Sequence, residues 1–80
     1  MEKEEVLKKL QVIILEETGI SIENEPIHSE LEADLNIGSY DRICVFIRLE
    51  EEFKIQFEDK DVAEGITIND VVEIIMKKSQ

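Results

Sequence analysis

The sequence predicts an all-α protein, a small three-to-four-helix bundle with a long loop between the first and second helices. Two observations support this class. Apolar residues recur at helical spacing in three segments, and the only proline, Pro26, falls in the long stretch between the first two. Eighty residues with 42% hydrophobic content are enough for one modest core, so residues 1–80 are expected to form a single domain.

The first helix is expected from Glu2 to Thr18, and Gly19 follows it where a helix favours a left-handed residue. Its buried face is expected to carry Val6, Leu10 and Ile13, with Leu7 and Ile14 beside them. Residues 20–38 form the long connection, which contains no lysine or arginine. Loops of this length in compact domains are usually functional or ordered by their own contacts. The residues expected to supply those contacts are Ile20, Ile22, Ile27, Leu31 and Leu35.

The second helix is expected from Ser39 to Phe53 and is apolar over more than one face. Its apolar side is expected to carry Ile43, Phe46, Ile47, Leu49 and Phe53. A short turn of helix fits between Phe57 and Glu64. The last helix begins after Thr67, an N-cap residue with Asp70 three positions later as a capping-box partner. Its buried side is expected to carry Val71, Val72, Ile74 and Ile75.

The net charge of −11 limits the classes of partner. A chain this acidic repels nucleic acid and anionic membranes, whereas a basic protein surface complements it. The single cysteine, Cys44, excludes an internal disulfide and suits a reducing compartment. The N-terminal residues are charged, and the longest apolar run, Ile43–Ile47, is too short to span a bilayer. We therefore expect a cytoplasmic monomer.

Conventional catalysis and metal binding are not indicated. His28 and Cys44 are the only residues of their types, and no motif orients either as a base or a nucleophile. The segment Asp34–Asn36–Gly38 fails the calcium-loop pattern, because its glycine comes one position early. We expect no enzyme, no metal site and a largely solvated set of carboxylates.

The segment Leu31–Asp41 places Ser39 at the junction between the long loop and an apolar helix. Free backbone N–H groups and the positive end of the helix dipole make such a junction suitable for a phosphate. The alternative is that Ser39 is simply an N-cap residue, as serines commonly are. Taken alone, the serine favours the N-cap interpretation.

The same segment resembles the acyl carrier family. Asp34-Leu35, followed by Ser39 and Asp41, is similar to that family's Asp-Leu-Gly-x-Asp-Ser-Leu-Asp pattern. The stretch from Leu49 to Ile55, Leu-Glu-Glu-Glu-Phe-Lys-Ile, is similar to its Leu-Glu-Glu-Glu-Phe-x-Ile. The likeness extends over nearly the whole chain, although the first helix matches in pattern only.

This resemblance implies a helical bundle of acyl-carrier type with 4′-phosphopantetheine attached to Ser39. It implies a carrier of acyl thioesters that serves enzymes of fatty acid, polyketide or related biosynthesis, with a phosphopantetheinyl transferase as an obligatory partner. The acyl chain of such a carrier can fold back between the helices, which would suit a core of Ile, Leu and Val. A carrier-like adaptor that is never modified and binds partners non-covalently is the alternative.

The chain departs from the family pattern at several positions. Gly38 replaces the usual acid before the serine; the resemblance implies that this acid contributes to the transferase contact, so we expect its loss to weaken recognition by the standard transferase. Asn36 replaces a glycine, and Tyr40 a leucine. Arg42 and Arg48 add positive charge to a helix that is normally acidic, which indicates a dedicated partner set.

A partner-binding stripe is expected on the second helix. Tyr40, Cys44, Ile47 and Glu51 follow one another at helical spacing, and Asp41 flanks the first of them. Tyr40, Asp41, Ile47 and Glu51 would form a small docking site with an apolar centre and an acidic rim. The alternative, that Ile47 is an ordinary core residue, is equally consistent with the helical wheel.

Overall fold

In a computed structural model, which describes residues 2–80, the chain forms four helices. They are α1 (Lys3–Thr18), α2 (Ser39–Phe53), α3 (Asp59–Glu64) and α4 (Ile68–Lys78). α1 packs against both α2 and α4. The predicted all-α class is confirmed, as is the long loop formed by residues 20–38 between α1 and α2. Within residues 2–80, the only sheet-like pairing is a single bridge between Glu30 and Thr67.

The helix ends follow from local chemistry. Gly19 ends α1 with φ of 77°, the left-handed conformation predicted for it. The predicted capping box of α4 is also present. The Asp70 N–H donates to Thr67 Oγ1 at 2.9 Å, and the Thr67 N–H donates to Asp70 Oδ2 at 3.0 Å. Lys77 and Lys78 lie in the last turn of α4, where cations are favourable.

The core is built from one face of each long helix together with the loop. The buried residues include Val6, Leu10, Ile13 and Ile14 of α1, Val45, Phe46, Leu49 and Phe53 of α2, and Ile68, Val71, Val72 and Ile75 of α4. The predicted face of α1 is confirmed.

Three residues that were predicted to lie in the core are not fully buried. The prediction for Ile43 is wrong, because the buried face of α2 carries Val45, Phe46 and Leu49 and so leaves Ile43 facing solvent. Ile74 is only half-buried, and Ile68 at the start of α4 contributes the fourth buried side chain instead. Ile47, also expected on the apolar side of α2, is 52% exposed. Ile27, expected to supply loop contacts, is 42% exposed but contributes its carbonyl, which accepts the Asn69 N–H.

The long loop is ordered by contacts with the start of α4. The Ile68 N–H donates to the carbonyl of Ser29 at 3.1 Å, and the Asn69 N–H donates to that of Ile27 at 2.7 Å. These are N–H groups of the first helical turn, which have no partner within the helix. The Leu31 N–H donates to the Ile66 carbonyl at 2.9 Å. The loop is also anchored by its buried side chains, Ile22, Leu31, Leu35 and Ile37.

Candidate functional site

Ser39 is the first helical residue of α2. The N-cap is Gly38, in an extended conformation, and its carbonyl accepts the Arg42 N–H at 2.9 Å. The interpretation of Ser39 as an N-cap residue is therefore wrong, because the preceding glycine occupies that position without a capping side chain. Ser39 is exposed, and its Oγ donates to Glu32 Oε1 at 3.3 Å. An exposed hydroxyl thus lies at the positive end of a helix dipole.

The segment before Ser39 is a compact turn that fixes where α2 begins. The Glu30 N–H donates to Asp34 Oδ2 at 2.7 Å, and the Ile37 N–H donates to the Leu31 carbonyl at 2.9 Å. Leu35 and Ile37 are buried beneath it. Asp34 and Leu35 therefore have structural roles: the carboxylate closes the turn and the leucine anchors it to the core.

The backbone conformation of Asn36 explains how the chain accommodates one departure from the family pattern. Its φ is 60°, in the left-handed region that glycine adopts without strain. Asparagine is among the few other residues that adopt this conformation with some ease. The turn before Ser39 thus keeps a backbone geometry that suits glycine, although the residue is Asn36.

Gly38 leaves open space next to Ser39. Its φ of −69° is accessible to any residue, and a Cβ built on it would meet no atom within 4 Å. The glycine is therefore not required by the backbone or by packing. A group attached to Ser39, or an acidic side chain at position 38, has room at this end of α2.

An exposed apolar strip runs along α2 from the turn that contains Ser39. It consists of Tyr40, Ile43 and Ile47, which are 78%, 52% and 52% exposed. Asp41 and Glu51 lie near its two ends, the first half-buried and the second exposed. The core interpretation of Ile47 is wrong, because the helix turns this residue away from the bundle. We call Tyr40, Ile43 and Ile47 the α2 apolar strip.

Known proteins are similar to this chain in sequence and in fold. A scan against protein-family models finds no match. The acyl carrier protein of Cyanidium caldarium is 38% identical over 76 residues, covering 95% of this chain and 88% of that protein. That of Phytoplasma mali is 31% identical over 72 residues, covering 90% and 86%. The crystal structure of an acyl carrier protein from Thermotoga maritima matches with a TM-score of 0.85 and 26% identity, over 98% of this chain and 91% of that one. The chain belongs to the acyl carrier protein family.

Family membership confirms the predicted resemblance and the acyl-carrier type of bundle. Acyl carrier proteins are carriers rather than enzymes, so the expectation that the chain is not an enzyme is confirmed as well. In general they bear a phosphopantetheine group and interact with acyl-handling enzymes. The interpretation as an unmodified adaptor is not favoured by these relatives.

The two arginines of α2, Arg42 and Arg48, form hydrogen bonds with other segments of the protein. Arg48 donates to Glu17 Oε2 at 2.9 Å and to Glu16 Oε1 at 2.8 Å, and these hydrogen bonds, led by that to Glu16, raise the pKa of Arg48. Arg42 Nη2 donates to the carbonyls of Val62 and Gly65. Arg48 therefore joins α2 to α1, and Arg42 joins α2 to the α3 region. Both have structural partners, so they do not create a free basic surface on the carrier.

The remaining candidate groups lie outside any catalytic arrangement. His28 is exposed in the loop, and Cys44 is a half-buried free thiol on α2. Within residues 2–80, no three His, Cys, Asp or Glu side chains are grouped so as to hold a metal ion. In the same part of the chain, no helix is both long and apolar enough to cross a membrane.

The geometry around Ser39 fits a phosphopantetheine group. The hydroxyl is exposed, the first turn of α2 offers free N–H groups, and Gly38 presents no side chain. Sequence reasoning missed Glu32, which accepts the Ser39 hydroxyl, and the exposure of Ile43 and Ile66. The position of Ile43 on the wheel beside Tyr40 and Ile47 was the available signal for its exposure.

Proposed function

We propose that this acyl carrier protein bears 4′-phosphopantetheine on Ser39 and delivers acyl groups to enzymes of fatty acid, polyketide or related biosynthesis. The observation that carries the proposal is the exposed hydroxyl of Ser39 as the first helical residue of α2, within a segment that matches the family pattern. When bound, the group supplies a terminal thiol that holds acyl groups as thioesters. Residues 1–80 act as one carrier unit.

Attachment replaces the Ser39 Oγ–H bond with an Oγ–P bond. The phosphopantetheine portion comes from coenzyme A, whose adenosine bisphosphate portion leaves, and the hydroxyl proton passes to the transferase. Two features of this chain favour the product: Gly38 leaves the neighbouring space open, and the start of α2 stabilises the anionic phosphodiester. Before attachment the Ser39 hydroxyl donates to the Glu32 carboxylate, a hydrogen bond that is lost when the proton leaves.

The partner-binding site of the proposal is the α2 apolar strip with its acidic neighbours. Tyr40, Ile43 and Ile47 supply an exposed apolar centre between the start and the middle of α2, and Asp41 and Glu51 supply negative charge at its ends. The net charge of −11 adds long-range attraction toward basic surfaces. The transferase and the acyl-handling enzymes are therefore proposed to bind here through basic docking surfaces.

The intact mass of the protein tests the attachment. Incubation with coenzyme A and a broad-specificity phosphopantetheinyl transferase should add the mass of one phosphopantetheine group. Ser39→Ala should add none, and Ser21→Ala, which changes another exposed serine, should behave as the wild type. A wild type that never gains the mass, or a Ser39→Ala variant that does, would contradict the proposed function.

A further inference from the structure

The attachment serine shares a face of α2 with two large side chains. Arg42 and Phe46 follow Ser39 by three and seven residues, so the three lie in line along the helix. This face points toward the α2–α3 connection and α3. The interior closest to the proposed arm is therefore the space between the first half of α2 and residues 57–65, which we call the α2–α3 interface.

Arg42 closes the α2–α3 interface next to Ser39. Its guanidinium Nη2 donates to the carbonyl of Gly65 at 2.8 Å and to that of Val62. The same guanidinium lies over the Phe46 ring, 5.2 Å from its centroid. One half-buried side chain thus ties α2 to the end of α3 by hydrogen bonds and by a cation–π contact.

Phe46 fills the space behind Arg42. It is 4% exposed and packs edge-to-face on Phe57, with ring centroids 5.0 Å apart and an interplanar angle of 83°. A Cβ added to Gly65 would lie 2.9 Å from Phe46 Cζ, so the ring touches the backbone there. Phe57 is held in turn by its N–H, which donates to Glu50 Oε2 at 2.8 Å.

The resemblance implied a core of aliphatic side chains that could make room for a folded-back acyl chain. The α2–α3 interface instead contains two aromatic rings and an arginine. Its two rings, Phe46 and Phe57, pack edge-to-face, and displacing Phe46 would break its contact with Arg42 as well. One apolar cleft of about 300 Å³ elsewhere is lined by Leu7, Ile27 and Val72 among others, and no residue of α2 contributes to it. It therefore does not lie on the Ser39 face.

We propose that Arg42 and Phe46 keep acyl chains out of the α2–α3 interface, so that this carrier takes short acyl groups that stay outside the bundle. The inference rests on the proposed attachment at Ser39. It names the cargo by chemical class, acyl groups too small to gain from burial. A long alkyl chain would be carried exposed to water, at a cost that grows with each methylene group.

The test compares acetyl and octanoyl groups on the wild-type arm. Each is loaded from the corresponding acyl coenzyme A, and the cleavage of its thioester by hydroxylamine is timed against the same thioester of free pantetheine. We expect both protein-bound thioesters to react at the rate of their free counterparts, with equal melting temperatures. An octanoyl chain that spends nine-tenths of its time inside the bundle would react about tenfold more slowly. Protection of that size in the wild type would overturn the proposal.

Variants test which side chain keeps the acyl chain out of the α2–α3 interface. Phe46→Ala removes the ring, and Phe53→Ala is the matched control, since it removes a buried ring of α2 at the end far from Ser39. We expect octanoyl protection to arise in Phe46→Ala and not in the control. If Phe46→Ala does not fold, Arg42→Ala gives the same comparison with the core intact. A folded Phe46→Ala or Arg42→Ala protein that leaves the octanoyl thioester unprotected would refute the role of that residue.

The two proposals fail in different ways. If Ser39 is not the attachment site, no acyl mass is gained and the proposed function fails. If the arm loads but octanoyl is protected in the wild type, the proposed function stands and the exclusion of long chains is wrong.

Discussion

Replacement of Ile47 by alanine separates partner binding from stability. Full burial of an isoleucine side chain contributes about 1.5–3 kcal/mol. Ile47 is 52% exposed, so only about half of that is available to lose. We expect Ile47→Ala to lower the free energy of unfolding by about 1 kcal/mol or less. A fully buried isoleucine, such as Ile14, would cost about 2–5 kcal/mol on the same replacement.

The effect on partners should be larger. If Ile47 is at the centre of the docking site, its truncation should remove about 1.4 kcal/mol or more of binding free energy, which is about a tenfold or larger loss in kcat/KM. Two measurements are needed: urea unfolding of the variant, and kcat/KM of a partner enzyme such as the transferase. Leu15→Ala is the matched control, because Leu15 is 49% exposed but lies on α1.

Two results would refute this reasoning. A loss of stability in the range of a buried isoleucine would show that Ile47 is packed in the protein. Equal losses of kcat/KM for Ile47→Ala and Leu15→Ala would show that the α2 apolar strip has no special part in docking.

Three further changes test other parts of the site. Gly38→Asp places an acid at the N-cap, where the space is open, and should stabilise the protein by about 0.3–1 kcal/mol and speed modification by a standard transferase. An equal or slower rate, measured by intact mass, would show that the missing carboxylate does not limit recognition. Glu51→Lys should leave the melting temperature unchanged and slow partner association most at low salt, because exposed charges are screened beyond about 10 Å at 0.1 M; an effect independent of salt would contradict a steering role. The hydrogen bond from Lys78, 2.9 Å away, and then that from the Glu58 N–H lower the pKa of the buried Asp61 carboxyl. Its stabilising contribution is therefore complete above the unfolded-state pKa of an aspartate and is lost as pH falls through the lowered folded-state pKa. Asp61→Asn should lower the free energy of unfolding, measured in urea, by about 1–2 kcal/mol at neutral pH, and the difference in stability from the wild type should become smaller in acid. A difference in stability that does not change with pH would contradict the ionic role of Asp61.

The fold was accessible from the sequence because its signals are local. Helical periodicity placed α1 and α2 within one residue of their observed bounds, and Gly19 and Thr67 marked a helix end and a helix start. The start of α2 at Ser39 was predicted in the same way. The likeness around Asp34 and Ser39 then identified the family.

The buried face of α2 could not be predicted from the sequence, because the apolar residues of this helix cover more than one face. A wheel ranks Ile43 with Phe46, whereas the packed bundle buries Val45, Phe46 and Leu49 and leaves Ile43 exposed. Ile43 could only be assigned once the neighbouring helix was in place. The same limit left Ile47 undecided between core and surface.

The roles of the arginines depend on contacts between distant segments. Arg42 reaches carbonyls 20 and 23 residues away, and Arg48 reaches carboxylates 31 and 32 residues away. No local pattern marks such pairs, so from the sequence both residues were interpreted as surface charge. The hydrogen bond between Ser39 and Glu32 was missed for a related reason, since a loop conformation brings them together.

The most direct test of the central claim is a peptide map of the protein isolated from its natural host. Trypsin should release the peptide Leu10–Arg42, which contains Ser21, Ser29 and Ser39. We predict that this peptide carries the mass of one phosphopantetheine group and that fragment ions place it on Ser39. A peptide found only in the unmodified form, or with the group on Ser21 or Ser29, would contradict the account.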